Sequence, residues 1–316
     1  MLLPIKINLF CFRERKCIME NKFSEIKSVA IHDGVFHADD ILCVALIDVI
    51  AKKNENLELV IRSRDNDLIE KADIACDIGF GEFDHHQEVK QFYENGIMYA
   101  ACGKIARALA ADPEITDFGQ EELEMLLIKA LYSVQAFDNG QDGVPSYSNP
   151  FSFVGTFNTL NSNGGVYSPA QDEAFNKCLD MAEIVLTNIL GQIKEEISDR
   201  HIIEDAIANK KNRIAVFSKY CRGWQNMLVD YNDNHFDDEI VVVAFPGRGT
   251  QWNIQVVPKT KDPYNHEAWA SVPEMVKHIP GFVFRHIGAF MAVFETKEAA
   301  LEAANVTNSW GSVTVR

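Results

Sequence analysis

Two clusters of histidine and aspartate, each placed soon after a predicted strand, constrain this chain more than any other feature. The first cluster runs from His32 to Asp40 and follows the apolar run 27–31. The second, Asp84-His85-His86, lies shortly after the run 72–78, and residues 57–61 predict another strand between them. Short apolar strands separated by helical segments are typical of a parallel α/β sheet.

Helical periodicity follows these strands. The Asp39-Asp40 pair would cap a helix whose apolar positions recur from Ile41 to Val49, and further helices are predicted at 100–111 and 120–137. In open parallel sheets, ligands collect beyond the carboxyl ends of the strands. We therefore expect both clusters to lie at the same edge of the sheet.

The clusters offer only nitrogen and oxygen ligands. Such a set suits Mn²⁺, Fe²⁺, Co²⁺ or Zn²⁺, whereas sites built from oxygen alone favour Mg²⁺ or Ca²⁺. A single histidine after a strand is more often a hydrogen-bonded loop residue than a ligand. Several ionisable groups at one edge are costly to bury without a counter-charge, however, so the clustering favours a cation.

Asp138 is an independent candidate ligand. Leu127, Leu131 and Val134 form the apolar stripe of the preceding helix, and Asp138 continues that stripe four residues beyond Val134, which predicts an inward side chain. An Asp138-Asn139-Gly140 turn that simply ends the helix explains the same residues. The pattern alone leaves both interpretations open.

The chain has 316 residues, enough for two domains that each bury a core. We predict a disordered tail at 1–24, a parallel-sheet metal-binding domain at 25–170, connecting helices at 171–211 and a smaller α+β domain at 212–316. In the last of these, strands are predicted at 213–217, 240–245 and 252–257, and a helix at 297–304.

Charge and cysteine usage narrow the class of protein. The formal net charge of −16 argues against a protein that coats nucleic acid with its whole surface, although a local basic groove remains compatible with it. The seven cysteines are scattered and never spaced as CxxC, which indicates a reducing compartment. We expect a cytoplasmic protein, or a nuclear or organellar one in a eukaryote, that has no membrane partner. A homo-oligomer is left open.

Six ordered blocks of sequence resemble the DHH phosphoesterase superfamily and, within it, the melanocyte proliferating gene (MYG) family of metal-dependent hydrolases. The blocks are Ile31 to Asp40, Arg62 to Asp65, Asp84 to Gln87, Ala136 to Gly140, Trp252 to Pro258 and Gly281 to His286. Together they span the chain from about Ser28 to the C-terminus. Asp-His-His alone would be a weak signal, whereas six blocks in order are specific.

The resemblance implies two domains with the active site in the cleft between them, and a pair of divalent ions, usually Mn²⁺. The implied metal ligands are His32, His37, Asp39, Asp77, His85 and Asp138. Asp77 would bridge the ions, Asp84 would orient His85 through its other ring nitrogen, and His86 would face the substrate phosphate.

The implied reaction is hydrolysis of a phosphoester by a water that two ions activate. Because the family is associated with 3′–5′ RNA exonuclease activity, a short RNA or oligonucleotide is the first substrate to expect. The cations proposed to contact phosphate are Arg64, Arg248 and His286, with Arg62, Lys259 and Arg285 as further candidates. Arg248 lies in the flexible turn 246–249, where a guanidinium could fork onto a phosphate.

One stretch departs from the family pattern. Relatives carry a glycine-rich segment after the position of His286, whereas this chain has Ile287 to Val293 with bulky side chains. Such residues would hinder a close approach of the backbone to phosphate. This departure puts the substrate grip of the second domain in question, but not metal binding.

Two alternatives stay open at this stage. The substrate could be a small phosphorylated metabolite or a nucleotide, or the protein could be a catalytically weak metal-containing binding or regulatory module. A metalloprotease or a zinc deaminase is disfavoured, because the sequence has neither HExxH nor an HxE paired with PCxxC.

Overall fold

The computed structural model describes residues 23–141, 153–161 and 165–311, apart from residues 54, 56, 88 and 263. Most of the predicted tail lies outside the described residues, and so do residues 142–152 and 162–164. The chain divides into two compact units, Met1–Gly191 and Gln192–Arg316. This division falls inside one long helix, and the boundaries predicted from the sequence stay predictions.

The first unit contains a three-stranded parallel sheet, as predicted. Its strands are β1 (Ser28–Ile31), β2 (Leu59–Arg62) and β3 (Ile74–Ala75), in the order β2-β1-β3. Val29 pairs with Val60 on one side and with Ile74 on the other. β3 is shorter than the predicted run 72–78, and Asp77 just beyond it has a left-handed backbone (φ +54°), outside the extended range of a regular strand.

The described part of the first unit also contains six α-helices and the beginning of a seventh. They are α1 (Ala38–Leu46), α2 (Asn66–Ile69), α3 (Ala101–Ala111), α4 (Gln120–Leu126), α5 (Tyr132–Asp138), α6 (Phe153–Leu160) and α7 (Pro169–Ala208). A π-helical turn (Ile47–Ala51) extends α1, and another (Leu127–Leu131) joins α4 to α5. Although α7 has 40 residues, no helix in the described part of the chain is long and apolar enough to cross a membrane.

Helix α1 is buried along its whole length, which explains its almost continuously apolar sequence. Its packing against α3 and α5 fixes the direction in which its first turn points. β1 is buried from Val29 to Ile31, and the chain runs from Ile31 through a short loop into α1. The first histidine and aspartate cluster therefore lies between two elements that the core holds rigidly.

The second unit is a mixed α+β fold with a five-stranded sheet. Its strands are β4 (Ile214–Val216), β5 (Val242–Pro246), β6 (Trp252–Val256), β7 (Phe282–Arg285) and β8 (Met291–Phe294), in the order β4-β5-β6-β8-β7. Only β4 and β5 pair in parallel. The described part of this unit also contains the end of α7, a 3₁₀ helix (Glu274–His278), α8 (Trp224–Asn234) and α9 (Lys297–Gly311), which packs on β5 and β6.

The stretch that departs from the family pattern forms the turn between β7 and β8 and most of strand β8. Ala292 and the next inward residue, Phe294, are fully buried in the core of the second unit. The N–H of His286 donates to the carbonyl of Met291 across the turn at 3.0 Å. The bulky Ile287 and Phe290 lie in the turn and are exposed, so the core of the second unit does not account for them.

Candidate metal centre

Four segments of the first unit bring the ionisable side chains together. β1 ends at Ile31, so His32 is the first residue beyond the strand, and the first turn of α1 carries Asp39 and Asp40. Asp77 follows β3 in the left-handed conformation, a state that aspartate tolerates better than most residues. The Asp-His-His loop and the end of α5 supply the remaining groups.

The first group of side chains is centred on His85. Its Nε2 atom lies 2.9 Å from Oδ1 of Asp77 and 3.1 Å from Oδ2 of Asp138. Asp39 can join the same group, since its carboxylate and the ligand atoms of His85 and Asp138 all lie within 4.8 Å of one another. The inward side chain predicted for Asp138 is therefore present.

The second group is centred on His32. Its Nε2 atom lies 3.1 Å from Oδ2 of Asp40 and 3.7 Å from Oδ2 of Asp77. The half-exposed His37 is close as well, with Nδ1 3.9 Å from the same Asp40 oxygen. Asp77 thus turns one oxygen toward each group, the arrangement that a bridging ligand needs.

Asp40 is the residue that sequence reasoning missed, because the helix-capping role accounted for it fully. It does act as a cap: Oδ2 accepts the backbone N–H of His37 at 2.9 Å. The same oxygen faces His32, and Oδ1 is buried with no hydrogen-bond partner among the described residues. The spacing of three from His37 could have revealed it, since residues N-cap and N3 face each other at a helix start.

The carboxylate of Asp39 is buried and fixed by backbone hydrogen bonds. Its two oxygens accept the backbone N–H groups of Ala101 and Cys102, at 3.0 Å and 2.9 Å, at the start of α3. Complete burial, followed by the charges of Asp138 and Asp77, raises the pKa of Asp39 well above its usual range. These carboxylates repel one another, and a cation would relieve the repulsion.

Both buried histidines are surrounded by carboxylates. Burial lowers the pKa of His32, but the hydrogen-bonding and charge of Asp40 outweigh it and raise that pKa to about 9. For His85, burial is likewise outweighed by Asp138 and Asp77, which raise its pKa to about 10. The surrounding field is thus strongly negative and attracts positive charge.

The loop aspartate Asp84 has a different partner from the one expected. Its Oδ1 accepts the backbone N–H of His86 at 2.9 Å and lies 3.0 Å from Nδ1 of that ring. His85 instead turns its Nδ1 toward Oδ1 of Asn139, at 3.3 Å. The sequence pattern predicts only a turn at Asn139 and gives no sign of this contact.

The residues present fit a divalent cation. Oδ1 of Asp77, Oδ1 of Asp40 and Nε2 of His85 are buried and have no hydrogen-bond partner within the described part of the chain. An unsatisfied buried polar atom costs roughly 1–3 kcal/mol, more when charged. Imidazole nitrogens and carboxylate oxygens in one cluster are the donors that Mn²⁺ and related ions accept.

An open cavity of about 620 Å³ gives solvent access to part of this cluster. His32, His37, Asp77, His86 and Asp138 line it, and so does Arg64, whose Nε lies 3.2 Å from Asp33. Arg62 has a structural role instead. Its buried guanidinium donates to the carbonyl of Gly34 and pairs with Asp172, so it holds the loop rather than facing the cavity.

The remaining candidate cations belong to the second unit. Arg285 is committed to Glu274 at 2.7 Å and to the carbonyl of Val272. The Nδ1 atom of His286 accepts the N–H of Gly288 at 3.0 Å, and Lys259 lies over the ring of Trp269. Arg248 stands in the β5–β6 turn, and its phosphate role stays a prediction, as does that of His286.

The chain is similar to a known protein family and to several curated proteins. Residues 28–307 match the MYG1_exonuc family model, described as an uncharacterised protein family (UPF0160). The MYG1 protein of Chlamydia muridarum is 26% identical over 304 residues, covering 89% of this chain and 96% of that protein. The MYG1 exonuclease of Homo sapiens is 23% identical, covering 88% and 85%.

Among solved structures, the exonuclease RecJ bound to manganese matches 95% of this chain and 93% of its own, with 10% identity and a TM-score of 0.29. The complex of RecJ with Mn²⁺ from Thermus thermophilus gives 9% identity and a TM-score of 0.30, covering 94% of this chain and 54% of that one. The family match covers both units and contains every block that suggested the resemblance. The chain belongs to the MYG1 family (UPF0160).

Proposed function

We propose that this protein is a metal-dependent hydrolase of phosphodiester bonds that shortens RNA or other oligonucleotides from the 3′ end. The observation that carries the proposal is the position of Asp77, whose two oxygens face His85 and His32 at 2.9 Å and 3.7 Å in an open cavity. A site that only stabilised the fold would have no need of solvent access. The exonuclease names of the mouse and human relatives support the same reaction.

We assign the metal ions to the two groups of side chains. His32, His37 and Asp40 would form one group, and His85, Asp39 and Asp138 the other, with Asp77 shared. Two divalent ions held by these residues, for which we propose Mn²⁺, would supply an activated water and would stabilise negative charge on phosphate oxygens.

His86 is the residue that we place against the substrate. Its side chain is 58% exposed, while that of His85 is buried. Asp84 holds its Nδ1 atom at 3.0 Å, and Oδ1 of Asp77 lies 3.3 Å from the same atom, so Nε2 is the ring nitrogen that can meet a phosphate oxygen. In this position Nε2 can bind a phosphate oxygen or donate a proton to the leaving oxygen.

A short substrate fits the charge of the protein better than a long duplex does. The formal net charge of −16 repels an extended polyanion, whereas one or two phosphates near bound cations feel mainly the local field. Arg64 at the cavity, with Arg248 and His286 of the second unit, would supply further cationic contacts. We propose that both units take part in substrate binding.

The proposal is tested with a short RNA that carries a fluorophore at its 5′ end, incubated with the Mn²⁺-reconstituted protein. We expect labelled products that shorten progressively, and resistance when a phosphate blocks the 3′ end. If the first labelled product is a single nucleotide, the protein degrades RNA from the 5′ end instead. If no oligonucleotide is cut but a nucleoside phosphate is, the substrate is a small phosphorylated metabolite.

A further inference from the structure

Two aromatic rings stand exposed at the cavity that holds the metal-binding groups. Phe80 is 74% exposed and Tyr167 is 76% exposed, and both line the same cavity as His32 and Asp77. We propose that Phe80 and Tyr167 form a subsite on which a nucleobase of the substrate stacks. This inference rests on the proposed function and names a recognition element of that site.

Phe80 is held in an unfavourable conformation. Its φ is +53°, in the left-handed region, where a bulky non-glycine residue is strained, and the preceding Gly79 is also left-handed. Leaving a phenyl ring in water adds to that cost. Strain of this kind is kept where the surrounding structure enforces it, and it is concentrated at functional sites.

The structure shows what enforces this conformation. The backbone N–H of Phe80 donates to Oδ2 of Asp84 at 2.7 Å, and the other oxygen of Asp84 holds His86. One buried carboxylate therefore fixes both the aromatic residue and the histidine that we place against phosphate. A base and its phosphate would be bound at a defined separation.

Tyr167 lies over the first loop of the cluster. A Cβ atom on Gly34 would lie 3.4 Å from Cε1 of Tyr167, so the ring is in contact distance of that backbone. Gly34 has a φ of +84°, and its carbonyl accepts from Arg62 at 2.6 Å and from Gln171 at 3.1 Å. The ring thus rests on a fixed piece of backbone next to His32.

The arrangement separates two kinds of recognition. The deeply buried His32, Asp77 and His85 are suited to a phosphate with its metal ions, while the exposed rings at the opening are suited to the flat face of a base. Every base offers such a face, so stacking on Phe80 and Tyr167 distinguishes nucleotides from simple phosphoesters without reading sequence. The cavity volume is within the roughly 300–1,000 Å³ typical of small-molecule pockets.

The experiment measures binding of a trinucleotide that contains 2-aminopurine, whose fluorescence is quenched on stacking. Methylene groups replace its bridging ester oxygens, so no turnover is needed. An otherwise identical abasic trinucleotide serves as competitor. The proteins are the full chain with Mn²⁺ and its Phe80→Leu, Tyr167→Leu and Tyr167→Phe variants. Phe92→Leu is the matched control, since Phe92 is 56% exposed but does not line the cavity.

We expect Phe80→Leu and Tyr167→Leu to weaken binding of the base-containing ligand by about five- to 150-fold and to reduce the quench. Tyr167→Phe and Phe92→Leu should bind like the parent protein, and the abasic competitor should bind all proteins alike. Unchanged affinity and quench in both leucine variants would overturn the subsite. If the leucine variants lose stacking but the parent protein never cleaves RNA, the proposed function is overturned and the subsite is supported.

Discussion

The Nε2 atom of His85 lies 2.9 Å from Oδ1 of Asp77, yet neither atom forms a hydrogen bond with any described residue. Two buried polar atoms at this distance without hydrogen-bonding geometry are poorly satisfied by each other. A cation bound by both atoms would satisfy them. Metal content is therefore the first property that variants of this cluster should change.

We predict that Asp77→Asn lowers the occupancy of both metal sites. Asparagine tolerates the left-handed backbone of residue 77, so Asp77→Asn removes the negative charge with little strain. Asp77→Ala would remove the charge and also strain the backbone. Elemental analysis after reconstitution with Mn²⁺ should show about two ions in the parent protein and clearly fewer in the variant. Asp67→Asn, an exposed carboxylate on α2, is the control. Full occupancy in Asp77→Asn would exclude a shared ligand.

His85→Ala and His86→Ala should have different effects. His85 is buried among carboxylates, so we expect its loss to remove metal. His86 is more than half exposed, so we expect its variant to keep metal while turnover falls by about 10²-fold or more, as for the loss of a general acid. Elemental analysis and a single-turnover RNA assay separate the two roles. Equal metal loss in the two variants would contradict this division.

Asp40→Asn tests the residue that the sequence did not reveal. The amide oxygen can still accept the backbone N–H of His37, so the start of α1 is preserved, but the charge beside His32 disappears. We expect the metal-free variant to keep the helix content of the parent protein, as measured by far-UV circular dichroism, and to bind Mn²⁺ more weakly. If Mn²⁺ affinity stays the same, Asp40 is a helix cap and nothing more.

Arg248 tests the contribution of the second unit. We expect Arg248→Ala to lower kcat/KM for RNA by roughly 10²-fold, the loss typical of one positioned donor, without changing metal content. Arg248→Lys should recover only part of the activity, because lysine keeps the charge but not the two-pronged geometry. An alanine variant with parental kcat/KM would remove Arg248 from the site.

A pair of carboxyl groups away from the metal centre should make stability depend on pH. Burial and the neighbouring Asp48 raise the pKa of Glu183, on α7, from 4.5 to about 7. The folded state therefore holds a proton more tightly than the unfolded state does. This contribution to stability is complete below about pH 4.5 and is lost as the pH rises through about 7.

Glu183→Gln should remove that dependence. Urea denaturation measures the free energy of unfolding of each protein. The value for the variant minus the value for the parent protein should be larger at pH 8 than at pH 5, so the variant gains relative stability at high pH. Glu173→Gln, an exposed residue of the same helix, is the control and should show the same difference at both pH values. A Glu183 variant that behaves like this control would mean that the pair does not share a proton.

The sequence by itself determined the parallel sheet of the first unit and the family. Both follow from local patterns: apolar runs such as Val29 to Ile31 predict buried strands, and the turn of the chain after each strand brings His32 and Asp77 to one edge of the sheet. The inward side chain of Asp138 likewise follows from helical periodicity. Such signals extend over a few residues and can be read without the fold.

Only the tertiary structure decided which side chains meet. Asp40 faces His32 because the packing of α1 fixes its first turn, and Asn139 rather than Asp84 faces His85 because the end of α5 lies against the loop. Strand β8 could not be recognised as core from its sequence, since its burial depends on pairing with β6 and β7. These contacts join residues distant in sequence, and backbone states such as the left-handed Asp77 redirect side chains in ways that periodicity does not encode.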